Sequence, residues 1–516
     1  LRSIPDYNKT VELPGLISPI EIVRDTANVP HIYGDNDADI YFGLGYAHAQ
    51  DRLWQLVVKR LTAQGRLSEI FGKQALPLDI FMRRLDIYSQ AQKSVDVQDD
   101  RTKRALEAYA AGINARFLEI NLKSLGRGAP ELLIYNIPLA SWHPADSIAI
   151  LKLFAVNSSS HYAKEILRAR TLITLPDPKR VIDILPDSPE VKNEMTSEVI
   201  SLLDAENLNR SKKYQPKLDL FNDFVNNRLA GASNSFAANN FRTATEGTLL
   251  ANDPHFKLSV PSQFYLAHLE LSSGGIIGGT IPGIPTVIAG RSPHIGWGIS
   301  ASYADDQDLY AEEINQNDDE KYKSLDGWKT FRSEETVIKI KGGNSKKIQL
   351  KWSENGPVLD KVTSQISDIT PPNHEMAISW TMLTPQDTSM TALINLTYSK
   401  DIKTALNALE GHVAPSLNYT LIDKENIALQ LAGKLPKRGI DHNTRGRLPS
   451  FGYKEENRWR GYQSYDTNPR IINPEIGLIA NTNNKILDEL FPNHISYDWG
   501  DTQRIARLTR LMDSRK

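Results

Sequence analysis

Apolar positions change their period near the middle of this chain. In the first part they recur at helical spacing. Ile40, Leu44, Leu53, Trp54, Val57 and Leu61 follow Asp35 to Asp39, whose acidic groups favour the first turn of a helix. The spacing predicts one long helix there, punctuated at its end by Gly65 and Gly72. It predicts further helices over 101–122 and 143–175. Residues 18–33 read as extended, with Ile20, Ile22 and Val23 leading into Arg24-Asp25 and then Val29-Pro30-His31-Ile32. From Ser233 the period falls to two. Phe236 and Ala238 alternate with polar neighbours, and Phe264, Leu266 and His268 alternate with Tyr265, Ala267 and Leu269. Gly275 to Gly290 is a glycine- and proline-punctuated run carrying Ile and Val. Residues 336–341 and 347–352 flank Gly342-Gly343-Asn344 and predict a hairpin, and 419–422 with 427–431 flank Asp423 to Asn426 and predict another. Helices return over 401–410 and at the C-terminus.

This pattern divides the chain into a helix-rich region 1–200, a candidate spacer 201–232 and a β-rich region 233–516, an α+β organisation. Leu208 to Leu218 is polar, lysine-rich and carries Pro216. It is either an exposed loop between the two parts or a spacer removed by processing. The chain shows no internal repeat and no low-complexity tract.

Composition narrows the chemistry. The 516 residues are 40% hydrophobic and 24% charged, with Lys+Arg 60 against Asp+Glu 62 and a formal net charge of −2. No basic stripe points to nucleic acid. The longest apolar stretch, Ser147 to Val156, carries Lys152 and falls far short of the roughly 20 residues that span a bilayer. Cysteine is absent, which excludes disulfides, thiolate metal sites and a cysteine nucleophile. A cysteine-free chain suits a periplasmic or secreted bacterial protein, where stray thiols oxidise. The start at Leu1-Arg2-Ser3-Ile4-Pro5 reads like a processed or trimmed terminus.

The common hydrolase signatures are missing. Gly231-Ala232-Ser233-Asn234-Ser235 is not Gly-x-Ser-x-Gly, and His374-Glu375 lacks the second histidine of a zinc protease. Gly231-Ala232-Ser233-Asn234-Ser235-Phe236 is either turn chemistry or a self-cleavage point. The small side chains before Ser233 leave its upstream carbonyl open to attack. A cut between Ala232 and Ser233 would give the serine both a hydroxyl and a free α-amine, a nucleophile and a base in one residue.

Several further segments accompany that motif. They are Ile22-Val-Arg-Asp25, Val29-Pro-His-Ile32, Gly45-Tyr-Ala-His-Ala-Gln-Asp-Arg-Leu-Trp-Gln55, Gly65-Arg-Leu-Ser-Glu69, Leu250-Ala-Asn-Asp-Pro-His255, Pro282-Gly-Ile-Pro285, Ile295-Gly-Trp-Gly298, Asp305-Asp-Gln-Asp-Leu-Tyr310 and Ile479-Ala-Asn-Thr-Asn-Asn484. Together, in this order and from about residue 16 to about residue 511, the chain resembles the penicillin acylase family of N-terminal nucleophile hydrolases, which includes cephalosporin and acyl-homoserine lactone acylases. The resemblance implies a four-layer αββα sandwich. It implies a precursor that loses a spacer and becomes a heterodimer, with the second chain starting at the nucleophile.

By this resemblance Ser233 attacks an amide carbonyl. The Ala301 backbone N–H and the Asn483 side chain hold the oxyanion, with Asn481 as the alternative in register. His255 lies beside the nucleophile to tune its amine, or is structural. Arg504 supports the asparagine, or is a surface helix charge. Phe256, Ile288 and Ala289 line an acyl pocket, and the small Ala289 points to a deep slot for a fatty chain. Glu165, Asp305, Gln307, Asp308 and the Pro436 carbonyl form a structural calcium site, against a reading of Asp305 to Asp308 as a solvated acidic turn. A carboxylate expected near Asn493 or His494 is missing. No organic cofactor is implied. The stretch from Ser233 onward is shorter than the family's second chains, so a C-terminal portion is expected to be absent.

The activity implied is hydrolysis of N-acylated small molecules, either β-lactam side chains or acyl-homoserine lactones. The competing readings are an unprocessed or truncated homologue that binds a small molecule or calcium without catalysis, and an ordinary Ser-His-Asp hydrolase using His255.

Overall fold

The structure, a computed structural model, describes residues 4–123, 128–159, 161–175, 180, 198–202, 232–256, 258–361, 366–487, 491–500 and 502–513. Gly231 and the lysine-rich stretch read as a spacer lie outside the described residues.

The helical first part opens with a short hairpin, β1 (Glu21–Arg24) and β2 (Pro30–Tyr33). Helices α1 (Asp37–Asp51) and α2 (Leu53–Ala63) follow, separated where Arg52 leaves helical geometry with φ −132°. The single long helix expected here is therefore two. Asn36 caps α1 by accepting from the Asp39 N–H, and Asp39 in turn accepts from the Ile17 and Ser18 N–H groups at 2.8 Å each. Next come α3 (Ser68–Phe71), α4 (Leu76–Leu85), α5 (Ile87–Ser94), α6 (Asp100–Lys123), α7 (Pro130–Tyr135), α8 (Pro144–Ser158), α9 (His161–Thr174) and α10 (Glu198–Ser201). Two glycines let α1 and α6 touch backbone to backbone. A Cβ on Gly45 would stand 2.1 Å from the Tyr109 carbonyl oxygen, and one on Gly112 would stand 1.9 Å from that of Phe42.

The β-rich part runs β3 (Ala232–Ala238), β4 (Leu249–His255), β5 (Tyr265–Leu271), β6 (Gly274–Thr280), β7 (Val287–Arg291), β8 (Gly296–Ala301), β9 (Gln307–Asn315), β10 (Asp318–Ser324), β11 (Gly327–Thr330), β12 (Arg332–Ile338), β13 (Lys346–Ser353), β14 (Gly356–Pro357) and β15 (His374–Trp380). After α11 (Ser389–Thr397) and α12 (Ile402–Leu409) come β16 (Leu417–Ile422), β17 (Ile427–Ala432), β18 (Ser450–Phe451), β19 (Arg470–Ile472), β20 (Leu478–Asn481) and α13 (Gln503–Asp513). Both expected hairpins form, β12 with β13 and β16 with β17.

Nine strands make the main sheet, in the order β1-β2-β5-β6-β7-β8-β16-β17-β19. Within it β2 and β5 run parallel and the other neighbours antiparallel. A three-stranded sheet, β20-β3-β4, lies over it. Ala237 and Ile479 of the small sheet bury against Ile427 and Leu429 of the large one, each apolar side chain contributing on the order of 1.5–3 kcal/mol when it is a Leu or Ile removed from water. Helices α1 and α11 pack on the main sheet, and α13 packs on β20. The result is an α+β fold of two facing sheets with helices on the outer sides. No helix among the described residues is long and apolar enough to cross a membrane.

Candidate active site

Alternation along β3 decides which side chains enter the space between the sheets. Ser233 and Ser235 are buried inward, while Asn234 points to the other face. Ser235 Oγ meets Thr420 Oγ1 of the main sheet at 2.7 Å. Ser233 reaches the end of β8, where the Ala301 N–H donates to Ser233 Oγ at 3.3 Å.

The second donor comes from the loop after β20. Asn483 adopts φ +67°, a left-handed conformation that asparagine tolerates better than most side chains. This turns its amide back onto the serine. Nδ2 donates to Ser233 Oγ and to the Ala301 carbonyl, both at 2.9 Å, and Oδ1 accepts the Ser233 N–H at 2.7 Å. Arg504, on α13, fixes that orientation. Its Nη2 donates to Asn483 Oδ1 at 3.1 Å and to the Thr482 carbonyl at 2.5 Å, and its Nη1 donates to the Ser233 carbonyl at 3.0 Å and to Asn234 Oδ1 at 2.9 Å. With two donors on Oδ1, the amide cannot flip without losing both. Asn481, the register alternative, does not touch the serine oxygen. It accepts from Ser300 Oγ at 2.6 Å and from the Asn483 N–H at 3.3 Å, and so holds the loop.

His255 stands apart from this arrangement. It is the register partner of Ala232, which places it and Asp253 on the face of the small sheet opposite the Ser233 hydroxyl. Its Nε2 lies 2.8 Å from Asp253 Oδ2 and 3.4 Å from Asn234 Nδ2. The ring therefore makes a pair with Asp253 but no Ser-His-Asp relay, and it does not sit against the serine as the sequence led one to expect.

A residue without an assigned role joins the two sheets. Asn252 donates from Nδ2 to the carbonyls of Asn234 (3.0 Å) and Ile299 (2.8 Å), and its Oδ1 accepts the Ile299 N–H at 3.1 Å. A Cβ at Gly298 would fall 2.7 Å from the Asn252 Cβ, so that glycine makes the bridge possible. The signal was present in Leu250 to His255 and Ile295 to Gly298, but nothing local says that the two segments meet.

The same inter-sheet face opens into a cleft of about 460 Å³, a size that suits a small organic ligand. Leu250, Asn252, Pro254, Phe264, Ala289 and Trp297 are among its walls, and Pro254 is the register partner of Ser233. Of the three expected pocket residues, Ala289 lines the cleft directly. Phe256 reaches it through Phe264, with ring centroids 5.1 Å apart, and Ile288 is core. A larger cleft of about 810 Å³ between the Arg52 and Pro261 regions shares Phe264 and Leu266, but its walls include none of the serine's partners.

The residues grouped for calcium do come together, around a different cation. Arg438 donates from Nε to Asp308 Oδ2 at 2.9 Å and from Nη2 to Asp308 Oδ1 and the Gln307 carbonyl, each at 3.1 Å. Nη2 also stands 3.1 Å from Asp305 Oδ2, and Nη1 donates to the Asp305 carbonyl at 3.3 Å. Burial works against ionisation of Asp305, but the Arg438 guanidinium, His494 and His161 together outweigh burial and bring the carboxyl down to about 2. Among the described residues Glu165 receives only the Leu309 N–H, and burial, with Asp308 and Asp305 nearby, pushes its carboxyl well above the usual range. The Pro436 carbonyl accepts instead from Gln463 Nε2 at 3.3 Å. The stretch Asp305 to Asp308 is buried throughout, not a solvated turn. These residues do not fit a calcium ion as the structure arranges them, because both Asp308 carboxylate oxygens, Asp305 Oδ2 and the carbonyls of Asp305 and Gln307 already face a guanidinium, and the Pro436 carbonyl faces an amide.

Residues 19–516 match the family model described as penicillin amidase. An acyl-homoserine lactone acylase QuiP from Pseudomonas aeruginosa is 27% identical over 538 residues, covering 100% of this chain and 60% of its own length. A penicillin acylase 2 proenzyme from Pseudomonas sp. (strain SE83) is 26% identical, covering 98% of this chain and 64% of its own length. Among solved structures, a thermostable penicillin G acylase from Alcaligenes faecalis aligns with a TM-score of 0.48 and 23% identity, covering 55% of this chain and 49% of that one. The chain thus spans less than two thirds of the length of these curated relatives.

Proposed function

The chain belongs to the penicillin amidase family, and from that premise we propose that it hydrolyses the amide bond of N-acylated small molecules, with Ser233 as a nucleophile exposed by cleavage of the Ala232–Ser233 bond. One observation carries this reading: the Ala301 N–H and Asn483 Nδ2 converge on a single buried oxygen, Ser233 Oγ, while the nitrogen of the same residue is held on Asn483 Oδ1.

The cut would turn that nitrogen into an α-amine, whose ordinary pKa of about 7.7–8.0 leaves a useful neutral fraction near neutral pH. Ser233 Oγ then attacks the substrate carbonyl, and its proton passes to the amine. The carbonyl oxygen becomes an oxyanion and takes over the two donors now on Oγ, which cost no reorganisation because they are already in place. Collapse of the intermediate expels the substrate's amine, which leaves with the proton, and the acyl group stays on Oγ as an ester. Water repeats the sequence on that ester and releases the carboxylic acid. The apolar cleft beside Pro254 would receive the acyl chain, and the small Ala289 favours an extended one. Relatives named for acyl-homoserine lactones and for penicillins frame the two substrate classes.

Denaturing electrophoresis and mass spectrometry of the purified protein test the first step. Two pieces are expected, the second beginning Ser-Asn-Ser-Phe, while Ser233→Ala stays whole and releases no amine from N-acyl homoserine lactones or N-acyl β-lactams. Turnover by protein whose Ala232–Ser233 bond is still joined would overturn the reading.

A further inference from the structure

The first residues of β9 are gripped from both sides. On one side stand α9 and Ser159, the C-terminal cap of α8. Ser159 Oγ donates to Asp306 Oδ1 at 2.7 Å, the Tyr162 N–H donates to Gln307 Oε1 at 2.8 Å, and Glu165 accepts the Leu309 N–H. On the other side stands Arg438, whose side chain is only 4% exposed. A cut at Ala232–Ser233 would leave α9 on one piece and both β9 and Arg438 on the other, so this cluster is part of what keeps the two pieces together.

We propose that Arg438 is the built-in cation of this junction, standing where the donor set alone would call for a divalent metal ion, so that the two parts stay locked without one.

The donor set argues for it atom by atom. A calcium ion takes 6–8 oxygen ligands. Here Asp308 spends both carboxylate oxygens on Arg438, and one of them also accepts from Trp459 Nε1. The carbonyls of Asp305 and Gln307 are spent on the same guanidinium, and that of Pro436 on Gln463. Asp305 Oδ2 faces Arg438 as well, which leaves Asp305 Oδ1 as the one oxygen of these aspartates without a partner among the described residues. With the two oxygens of Glu165, which share one N–H from Leu309, that makes three, half or less of the shell a calcium ion takes. The planar fork of an arginine matches such an array of carboxylate and carbonyl oxygens in a way a lysine does not.

Gly446 closes the site. At φ +81°, its missing Cβ would lie 2.6 Å from Asp308 Oδ1, 2.7 Å from Asp305 Oδ2 and 2.8 Å from Arg438 Nε. The backbone has been brought down onto the cluster as far as a chain can come, which fits a filled site of fixed shape.

Thermal unfolding of the purified protein tests the proposal, after dialysis against a chelator and again with added calcium chloride, with metal analysis of the same samples. The wild type is expected to melt at one temperature in both and to carry no stoichiometric calcium. Arg438→Ala is expected to melt lower in chelator and to recover part of the loss with calcium chloride. A wild type that loses stability on chelation and regains it with calcium overturns the proposal, as does stoichiometric calcium in the wild type or an Arg438→Ala protein indifferent to the ion. Should Arg438→Ala give no soluble protein, the wild-type measurements decide alone.

Discussion

Arg504 and Arg438 are each planted among oxygens at a seam of the fold, yet they do opposite work. Arg438 meets two carboxylates, and its charge is answered where it stands. Arg504 meets four neutral oxygens, those of Ser233, Asn234, Thr482 and Asn483, and among the described residues no carboxylate pairs with it. One guanidinium saturates its neighbours and closes a structural joint. The other orders its neighbours and leaves its charge unspent beside the atom where a negative charge would form. Charge balance separates a joint from a site here more clearly than residue type, since both are built from arginine, aspartate or asparagine, and backbone carbonyls.

The comparison breaks first on stability. Removing one partner of a buried ion pair leaves uncompensated charge, so Arg438→Ala should lose about 3–5 kcal/mol of unfolding free energy in denaturant titration. Activity per folded molecule should stay near wild type. A loss of turnover at unchanged stability would mean that Arg438 belongs to the site after all.

Next is the oxyanion donor. Asn483→Ala should lower kcat by about 2.7–4 kcal/mol, on the order of hundredfold to a thousandfold, with little change in KM. Measured on protein already cut at Ser233, this separates turnover from processing.

Arg504→Gln should cost less, about 1.5–3 kcal/mol in kcat, the range of a hydrogen bond to a charged group. A pH profile sharpens the test. A cation close to the Ser233 amine favours its neutral form, so removing Arg504 should move the acid limb of kcat to higher pH. A merely structural arginine would lower activity without moving that limb.

Much of this was legible in the sequence, for identifiable reasons. Period two after Ser233 marks β-structure because strands such as β3 and β5 bury one face more than the other, and the β12–β13 and β16–β17 hairpins stand where turn residues separate two strand-like runs. Ser233, Asn483, Ala301 and Arg504 were named from the family resemblance, and the structure brings them into contact. Helical periodicity did not show the break at Arg52, because its neighbours on both sides keep the spacing. The place of His255 was misread for a different reason. The family resemblance put it beside the nucleophile, but a motif match does not state which face of a two-strand ladder a side chain takes, and register sends His255 to the far side. The acidic run at 305–308 invited a cation, but the residue that supplies it lies about 130 positions away, on a loop no local pattern connects to it.

The smallest effect concerns the support behind the donor. Ser300 Oγ donates to Asn481 Oδ1, which also accepts the Asn483 N–H. Removing the hydroxyl takes away one neutral hydrogen bond, about 0.5–1.5 kcal/mol. Asn481 has no easy alternative, for flipping its amide would set Nδ2 against the Asn483 N–H, donor against donor. The loop should therefore loosen without collapsing, and Ser300→Ala should lower kcat by no more than about tenfold. Ser235→Ala is the control. It also removes a buried serine hydroxyl, the one bonded to Thr420; the Ser235 backbone pairs with Asn481 in the β3–β20 ladder and is untouched by the change, and the lost bond ties sheet to sheet without entering the line from Ser300 through Asn481 to Asn483. The two variants should lose similar stability and differ in kcat. Equal kcat in both would show that Arg504, the Ser233 N–H and the Ala301 carbonyl suffice to hold Asn483, and that the line from Ser300 through Asn481 carries no positioning.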